Sequence, residues 1–227
     1  MARFVIVTGT DTGVGKTFVT EALARVLSRD RRVVAIKPFE SGVVEGEPGD
    51  GERLAAATAQ SAPRHALVRL RAPLAPALAA DRELVTIDFD AVLRSIRAHA
   101  ESADIVLIEG AGGARSPLTW DHDLLDLARA LADEATALRM VVVASDRLGT
   151  ISATHLVVDA IVAGGLSPPA IVLSAPALPD ASTGTNAMAL RRRLAHAGDT
   201  SQHVLPLPRT DGVAAANLLS PLARWLE

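Results

Sequence analysis

The chain of 227 residues contains no cysteine, and aromatic residues make up only 3% of it. Without cysteine there is no disulfide, no thiolate metal site and no cysteine nucleophile. The composition fits a reducing compartment. With so few aromatics, the hydrophobic fraction of 49% predicts an aliphatic, alanine-rich core. No apolar run approaches the roughly 20 residues of a membrane-spanning helix. The first residues hold one arginine and then a β-type run rather than a signal-peptide layout, so a soluble, cytoplasmic protein is expected. A net charge of −3 offers no electrostatic case for binding nucleic acid or anionic membranes. Lysine is scarce as well: Lys16 and Lys37 stand against 21 arginines. A chain that otherwise uses arginine for its cations keeps lysine where a compact, rotatable ammonium is needed. The length suits one domain, residues 1–227, with a substantial core.

The most informative stretch is Gly9-Thr10-Asp11-Thr12-Gly13-Val14-Gly15-Lys16-Thr17. It follows the β-branched run Phe4 to Val7 and precedes Phe18 to Leu27, where apolar residues recur at helical spacing. Strand, glycine-rich turn and helix form the setting of a phosphate-binding loop. Glycines let the backbone approach an anion, and successive N–H groups at the helix N-terminus bind it. In that arrangement Lys16 reaches the outer phosphates and the Thr17 hydroxyl ligates Mg²⁺. The general pattern has four residues between its first glycine and Gly-Lys. Here five separate Gly9 from Gly15, and Thr10 occupies the expected glycine position. The competing reading is a tight turn with Thr12 as helix N-cap.

Further strands are expected at 32–36, 104–108, 139–145, 170–174 and 203–207, with helices at 52–57, 88–100, 151–163, 186–196 and 213–227. Residues 43–51 read as a loop, Pro73 and Pro76 as a turn, and 64–71 as a short extended segment. Asp121 to Asp123 read as a helix start, and the arginines at 191–193 as a solvated face. Strands alternating with helices imply an α/β fold, a mainly parallel sheet flanked by helices of the P-loop NTPase type. Ligands of such sheets sit beyond the carboxyl ends of the strands, where Lys37 and Ser41 of Lys37-Pro38-Phe39-Glu40-Ser41-Gly42 fall. Glu109 ends a buried strand before Gly110-Ala111-Gly112-Gly113, as a metal-associated carboxylate does in P-loop enzymes. Asp50 is either a helix N-cap or a second carboxylate for the metal.

Together, G-T-D-T-G-V-G-K-T at 9–17, K-P-F-E-S-G at 37–42, E-G-A-G-G at 109–113 and R-L-G-T-I at 147–151 resemble the dethiobiotin synthetase family over essentially the whole chain. The extra loop residue is that family's own form. The resemblance implies ring closure of 7,8-diaminononanoate with CO₂, driven by ATP and Mg²⁺, in a homodimer. It implies Lys16 and Lys37 as catalytic ammonium groups and Thr17, Asp50 and Glu109 as metal ligands. The nucleotide would be held by Gly13, Val14, Gly15, Lys16, Thr17, Phe18, Asp50, Glu109, Gly110, Ala111 and Gly112. Ser174, Pro208, Arg209 and Thr210 would line the base pocket. The diamine would meet Thr12, Ser41, Gly112 and Gly113, with its carboxylate at Gly149, Thr150 and Ser152 of the partner subunit. Arg147 and Ser152 stand where the family often has lysine and asparagine. Ser174-Ala175-Pro176 replaces the usual Asn-Asp that reads the base, so the nucleotide is ATP or another triphosphate. The alternative class is a P-loop switch ATPase of the chromosome-partitioning type. Those proteins usually carry a second lysine at the position of Thr10 or Asp11, and this chain has none there.

Overall fold

The computed structural model describes residues 2–132, 138–196 and 203–226. The first half runs β1 (Arg3–Gly9), α1 (Lys16–Leu27), β2 (Val33–Ile36), β3 (Phe39–Ser41), α2 (Asp50–Thr58), β4 (Val68–Leu70), α3 (Pro76–Glu83) and α4 (Phe89–Ala100). The second half runs β5 (Ile105–Glu109), α5 (Leu124–Ala132), β6 (Leu138–Ser145), α6 (Thr150–Ala163), β7 (Ala170–Ser174), α7 (Asn186–His196), β8 (Val204–Leu207), α8 (Gly212–Leu218) and α9 (Ser220–Leu226).

Six strands form one sheet in the order β2-β5-β1-β6-β7-β8. Every neighbouring pair is parallel. The strands read as continuous apolar runs because helices cover both faces of the sheet. Phe4 and Ile6 of β1 pack in a cluster with Leu93 and Ile96 of α4 and Leu124 of α5. The alternate residues Val5 and Val7 join Val19 and Leu23 of α1 and Leu222 of α9. The central strand β1 lies between β5 and β6, so the loop after it opens where the sheet changes direction. β3 and β4 form a separate two-stranded parallel pair with Glu40 opposite Arg69.

Several expectations are corrected. Residues 39–41, expected only to lie beyond a strand end, form a strand of their own, because β4 supplies the partner that a three-residue run needs. The turn expected at Pro76 is the start of α3, with the proline in the first turn, where its missing N–H costs nothing. The helix expected from 52 begins two residues earlier, at Asp50, with Gly49 as N-cap. Thr12 caps nothing: α1 begins at Lys16, and its N-cap is Gly15 at φ 95°. The closing helix is two helices, the second with Pro221 in its first turn; Glu227 lies outside the described residues. Asp123 does start a helix, accepting from the N–H groups of Leu125 and Asp126 at 2.8 and 3.1 Å.

Asp104 fastens the entry of β5 to the entry of β2. Its carboxylate accepts from the Arg32 backbone N–H at 2.9 Å and from the guanidinium at 2.8 Å. The Arg32 side-chain hydrogen bond, then the backbone one, lower the Asp104 carboxyl from 3.8 to about 2. A carboxyl depressed in the folded state stabilises it above the unfolded value and loses that effect as pH falls through the folded value. Asp104→Asn should therefore lower the urea midpoint at neutral pH. The gap to the unsubstituted protein should narrow once pH drops below about 3.8 and close near 2.

Candidate active site

The loop between β1 and α1 is shaped by glycines at positive φ, Gly13 at 74° and Gly15 at 95°. Gly15 provides no side-chain cap for α1, so the first N–H groups of that helix face the cavity without a side-chain acceptor. A Cβ on Gly15 would lie 2.9 Å from the Ser174 hydroxyl, so the loop passes directly against the end of β7. Lys16 is buried and donates to the Asp11 carbonyl at 2.9 Å, its side chain lying back over its own loop.

Three neighbouring strands deliver the remaining groups. β1 leads to Thr17 through the loop, β5 ends in Glu109, and Lys37 follows β2. The Thr17 hydroxyl lies 2.9 Å from Asp50 Oδ1 and 2.8 Å from Glu109 Oε1. It has one proton, so it donates to one carboxylate at a time. The Lys37 ammonium donates to Asp50 Oδ2 at 2.8 Å and to Glu109 Oε1 at 2.6 Å. Glu109 is fully buried, and its Oε2 has no hydrogen-bond partner.

Burial works against charge on Lys37, but the Glu109 and Asp50 carboxylates outweigh it and hold the ammonium above its ordinary pKa. Burial pushes the Glu109 carboxyl up, Lys37 opposes this, and Asp50 adds to it. Asp50 is also disfavoured by burial, yet Lys37, through its charge and its hydrogen bond, brings it below the usual carboxylate range. Burial, followed by repulsion from Lys37, lowers the Lys16 ammonium. Two ammonium groups and two carboxylates sum to zero formal charge, so the site gains a positive field for a polyphosphate only with an added cation.

These groups border a cavity of about 710 Å³, lined also by Thr12, Gly13, Gly15, Phe18, Ser41, Ala111 and Gly112. The buried Ser41 hydroxyl has no partner. On the other side of the loop, a second cavity of about 310 Å³ is lined by Val14, Gly15, Phe18, Ser174 to Ala177, and Pro208, Arg209 and Thr210. Gly13, Gly15 and Phe18 border both. Gly110 and Gly113 line neither; the Gly110 N–H bonds to Val7 and that of Gly113 to the Ser116 hydroxyl. Gly149, Thr150 and Ser152 are brought to neither cavity. Gly149 caps α6, Thr150 is buried with an unpartnered hydroxyl, and Ser152 is exposed. Sequence reasoning gave no role to Glu40 or Arg53, which also line the larger cavity.

No group of three or more His, Cys, Asp or Glu able to hold a metal occurs among the described residues. Mg²⁺ needs no such cage, because it keeps waters and phosphates and takes one or two carboxylates from the protein. Thr17, Asp50 and Glu109 offer oxygen only, with an orphaned buried Glu109 oxygen among them, and this set fits a hard divalent cation.

A glycine-rich loop opening a helix, a lysine and a hydroxyl at that helix's start, and a strand-end carboxylate beside the hydroxyl define a P-loop nucleotide-binding protein. A family model described as an AAA domain matches residues 3–215. The ATP-dependent dethiobiotin synthetase of Anaeromyxobacter sp. (strain Fw109-5) is 46% identical over 177 residues, 76% of each chain. That of Anaeromyxobacter dehalogenans (strain 2CP-1) is 43% identical over 175 residues, again 76% of each. The chain belongs to the dethiobiotin synthetase family. Among solved structures, the Pyrococcus furiosus cell division ATPase MinD has a TM-score of 0.57 at 16% identity, with both chains covered fully. A ParA family ATPase from Chlorobium tepidum has a TM-score of 0.54 at 13% identity, covering 99% of this chain and 98% of that one. These likenesses show the shared fold alone.

If Lys16 meets the phosphates, removing its ammonium takes away one charge-assisted contact, worth about 1.5–3 kcal/mol, or roughly 10- to 150-fold in Kd. Lys16→Ala should weaken ATP binding in calorimetry by that factor while leaving the melting temperature within a few degrees. Unchanged affinity would remove Lys16 from the phosphate site.

Proposed function

We propose that this protein closes a cyclic urea on 7,8-diaminononanoate with CO₂ and ATP, giving dethiobiotin, ADP and phosphate. One observation carries the reading: Lys37, Thr17, Asp50 and Glu109 converge within hydrogen-bonding distance at the floor of the cavity that the Lys16 loop borders. No protein nucleophile is needed. One amine adds to CO₂ and loses a proton to give a carbamate. A carbamate oxygen attacks the γ-phosphorus, and ADP leaves. The second amine attacks the carbonyl of the resulting carbamic-phosphoric anhydride and gives up a proton to solvent, the carbonyl carbon–phosphate oxygen bond breaks, and phosphate departs.

Such a reaction asks the protein for position and for charge stabilisation. Backbone N–H groups of Gly13 to Thr17 hold the polyphosphate, and Lys16 neutralises it from the nucleotide side. Lys37 stabilises the negative charge on the carbamate and the transferring phosphoryl group. Thr17, Asp50 and Glu109 hold Mg²⁺, which when bound supplies Lewis-acid neutralisation of the phosphate oxygens. Thr12, Ser41 and the Gly112-Gly113 turn orient the diamine, the unpartnered Ser41 hydroxyl being free to bond to it. The smaller cavity takes the base. Its lining contains no side-chain amide, and a hydroxyl such as that of Ser174 cannot pair with a base edge in the bidentate way an asparagine does. Other triphosphates are therefore accepted beside ATP.

The protein acts as a homodimer in the cytoplasm, with Gly149, Thr150 and Ser152 serving the carboxylate of the diamine in the partner's site. Leu148 in that turn, 82% exposed, supports a covered face there. No helix is long and apolar enough to cross a membrane among the described residues.

Phosphate release measured with ATP, Mg²⁺, bicarbonate and the diamine, each omitted in turn, tests the reading; CTP and GTP replace ATP in further arms. Release that requires all four, with dethiobiotin formed, is expected. Release that ignores the diamine would favour a switch ATPase. Lys37→Ala should lower kcat by roughly 10²–10³, the usual effect of deleting a donor aimed at developing charge. Its affinity for nucleotide without metal should stay nearly intact; turnover close to that of the unsubstituted protein would contradict the role given to Lys37.

A further inference from the structure

Glu40 sits on β3 with 7% of its surface exposed, and no ion pair to it occurs among the described residues. Its carboxylate instead meets the start of α2. One oxygen accepts from the Asp50 backbone N–H in a short hydrogen bond, and the other lies 3.5 Å from the Gly51 nitrogen. These are orphan donors of the first helical turn, where the helix dipole favours negative charge. A helix start is usually capped by the residue just before it. Here that residue is Gly49, which has no side chain to offer. The cap comes from a residue ten positions back on another element.

Both glycines around Asp50 make room for this seat. A Cβ on Gly49 would lie 2.4 Å from Glu40 Oε1, and a Cβ on Gly51 would lie 2.3 Å from the Ala66 nitrogen. Gly49 therefore leaves space for the Glu40 carboxylate, and Gly51 lets α2 press against the chain before β4. With the backbone of Asp50 fixed in this way, its two side-chain oxygens face different partners, Oδ1 the Thr17 hydroxyl and Oδ2 the Lys37 ammonium.

We propose that Glu40 is a positioning residue of the phosphoryl-transfer site: seated on the N–H groups of Asp50 and Gly51, it aims the Asp50 carboxylate at Thr17, Lys37 and the divalent cation. The proposal rests on the reading that Asp50 helps to hold Mg²⁺ with the nucleotide. It predicts that losing Glu40 disturbs the metal and spares the loop that grips the phosphates, because Glu40 makes no hydrogen bond to residues 9–17. Partners one step removed from a metal's ligands typically contribute about 10- to 100-fold in metal affinity.

The test is the Mg²⁺ dependence of binding of a non-hydrolysable ATP analogue, followed by calorimetry in Glu40→Ala, Glu40→Gln and Gly49→Ala. In Glu40→Ala the Mg²⁺ concentration for half-saturation should rise about 10- to 100-fold. Affinity for the analogue without metal should stay within about twofold, since the phosphate loop is untouched. Glu40→Gln keeps one acceptor oxygen and should recover part of the loss. Gly49→Ala pushes the flexible Glu40 carboxylate off its seat and should reproduce the metal defect with Glu40 still present. Hydrogen exchange at residues 50–54 should quicken in Glu40→Ala and Gly49→Ala. If Glu40→Ala does not fold, Gly49→Ala and Glu40→Gln decide the matter in the same assay. Unchanged Mg²⁺ half-saturation in the folded variants would overturn the proposal, as would a defect confined to KM for the diamine. The outcome is separable from the functional reading: unsubstituted protein that shows Mg²⁺-dependent binding but makes no dethiobiotin would sink the proposed reaction, while the metal defect of the variants would still uphold Glu40.

Discussion

The Lys37 ammonium, shared by the Asp50 and Glu109 carboxylates at 2.8 and 2.6 Å, is the contact on which the rest of the site depends. It joins three separate parts of the chain: the residue after β2, the end of β5 and the first residue of α2. An unpaired charge at Lys37 or Glu109, both buried, would be costly. With both carboxylates in contact, a lysine with 5% of its side chain exposed stays an ammonium at neutral pH. That is the form the proposed chemistry needs. The same contact holds the two carboxylates near the Thr17 hydroxyl, and the loop, the two acids and Lys37 become one constellation rather than three neighbouring ones.

The parallel sheet makes this possible. Its strands point the same way, so the residues that follow β1, β2 and β5 emerge on one edge. The apolar interior contributes no chemistry of its own but fixes those ends against each other. Leu107 and Ile108 of β5 are wholly buried immediately before Glu109, which leaves the carboxylate little freedom to turn away. α2 is the exception. It supplies Asp50 from a helix start rather than a strand end: it packs against α1 and β2, and its first turn meets Glu40 of β3.

Much of this was legible in the residues. The loop at 9–17, the alternation of strands and helices, and the two lysines in an arginine-rich chain all pointed to the carboxyl edge of the sheet. Long apolar strands and the amphipathic α4 were readable because burial imposes its period on the sequence. The three-residue strand β3 was not, since a run so short has no period and gains its meaning from a partner 29 residues away; that partner, β4, lies within the extended segment read at 64–71. α3 was hidden by Pro76, which reads as a turn until it is placed in a first helical turn. Asp50 was divided between helix cap and metal ligand. Its carboxylate is free for the site because Gly49 holds the cap position and Glu40 satisfies the N–H groups, an arrangement between distant residues that no local pattern announces.

Because the chain has only two lysines, the central claim can be tested by a spectrum with two side-chain signals. Protein labelled with ¹⁵N at lysine Nζ should give one ammonium resonance for Lys16 and one for Lys37. Adding Mg²⁺ and a non-hydrolysable ATP analogue should shift both, since both ammonium groups border the same cavity. A shift of the Lys16 signal alone, with that of Lys37 unmoved at saturation, would mean that Lys37 is a structural ion pair and that the two ammonium groups do not share a site.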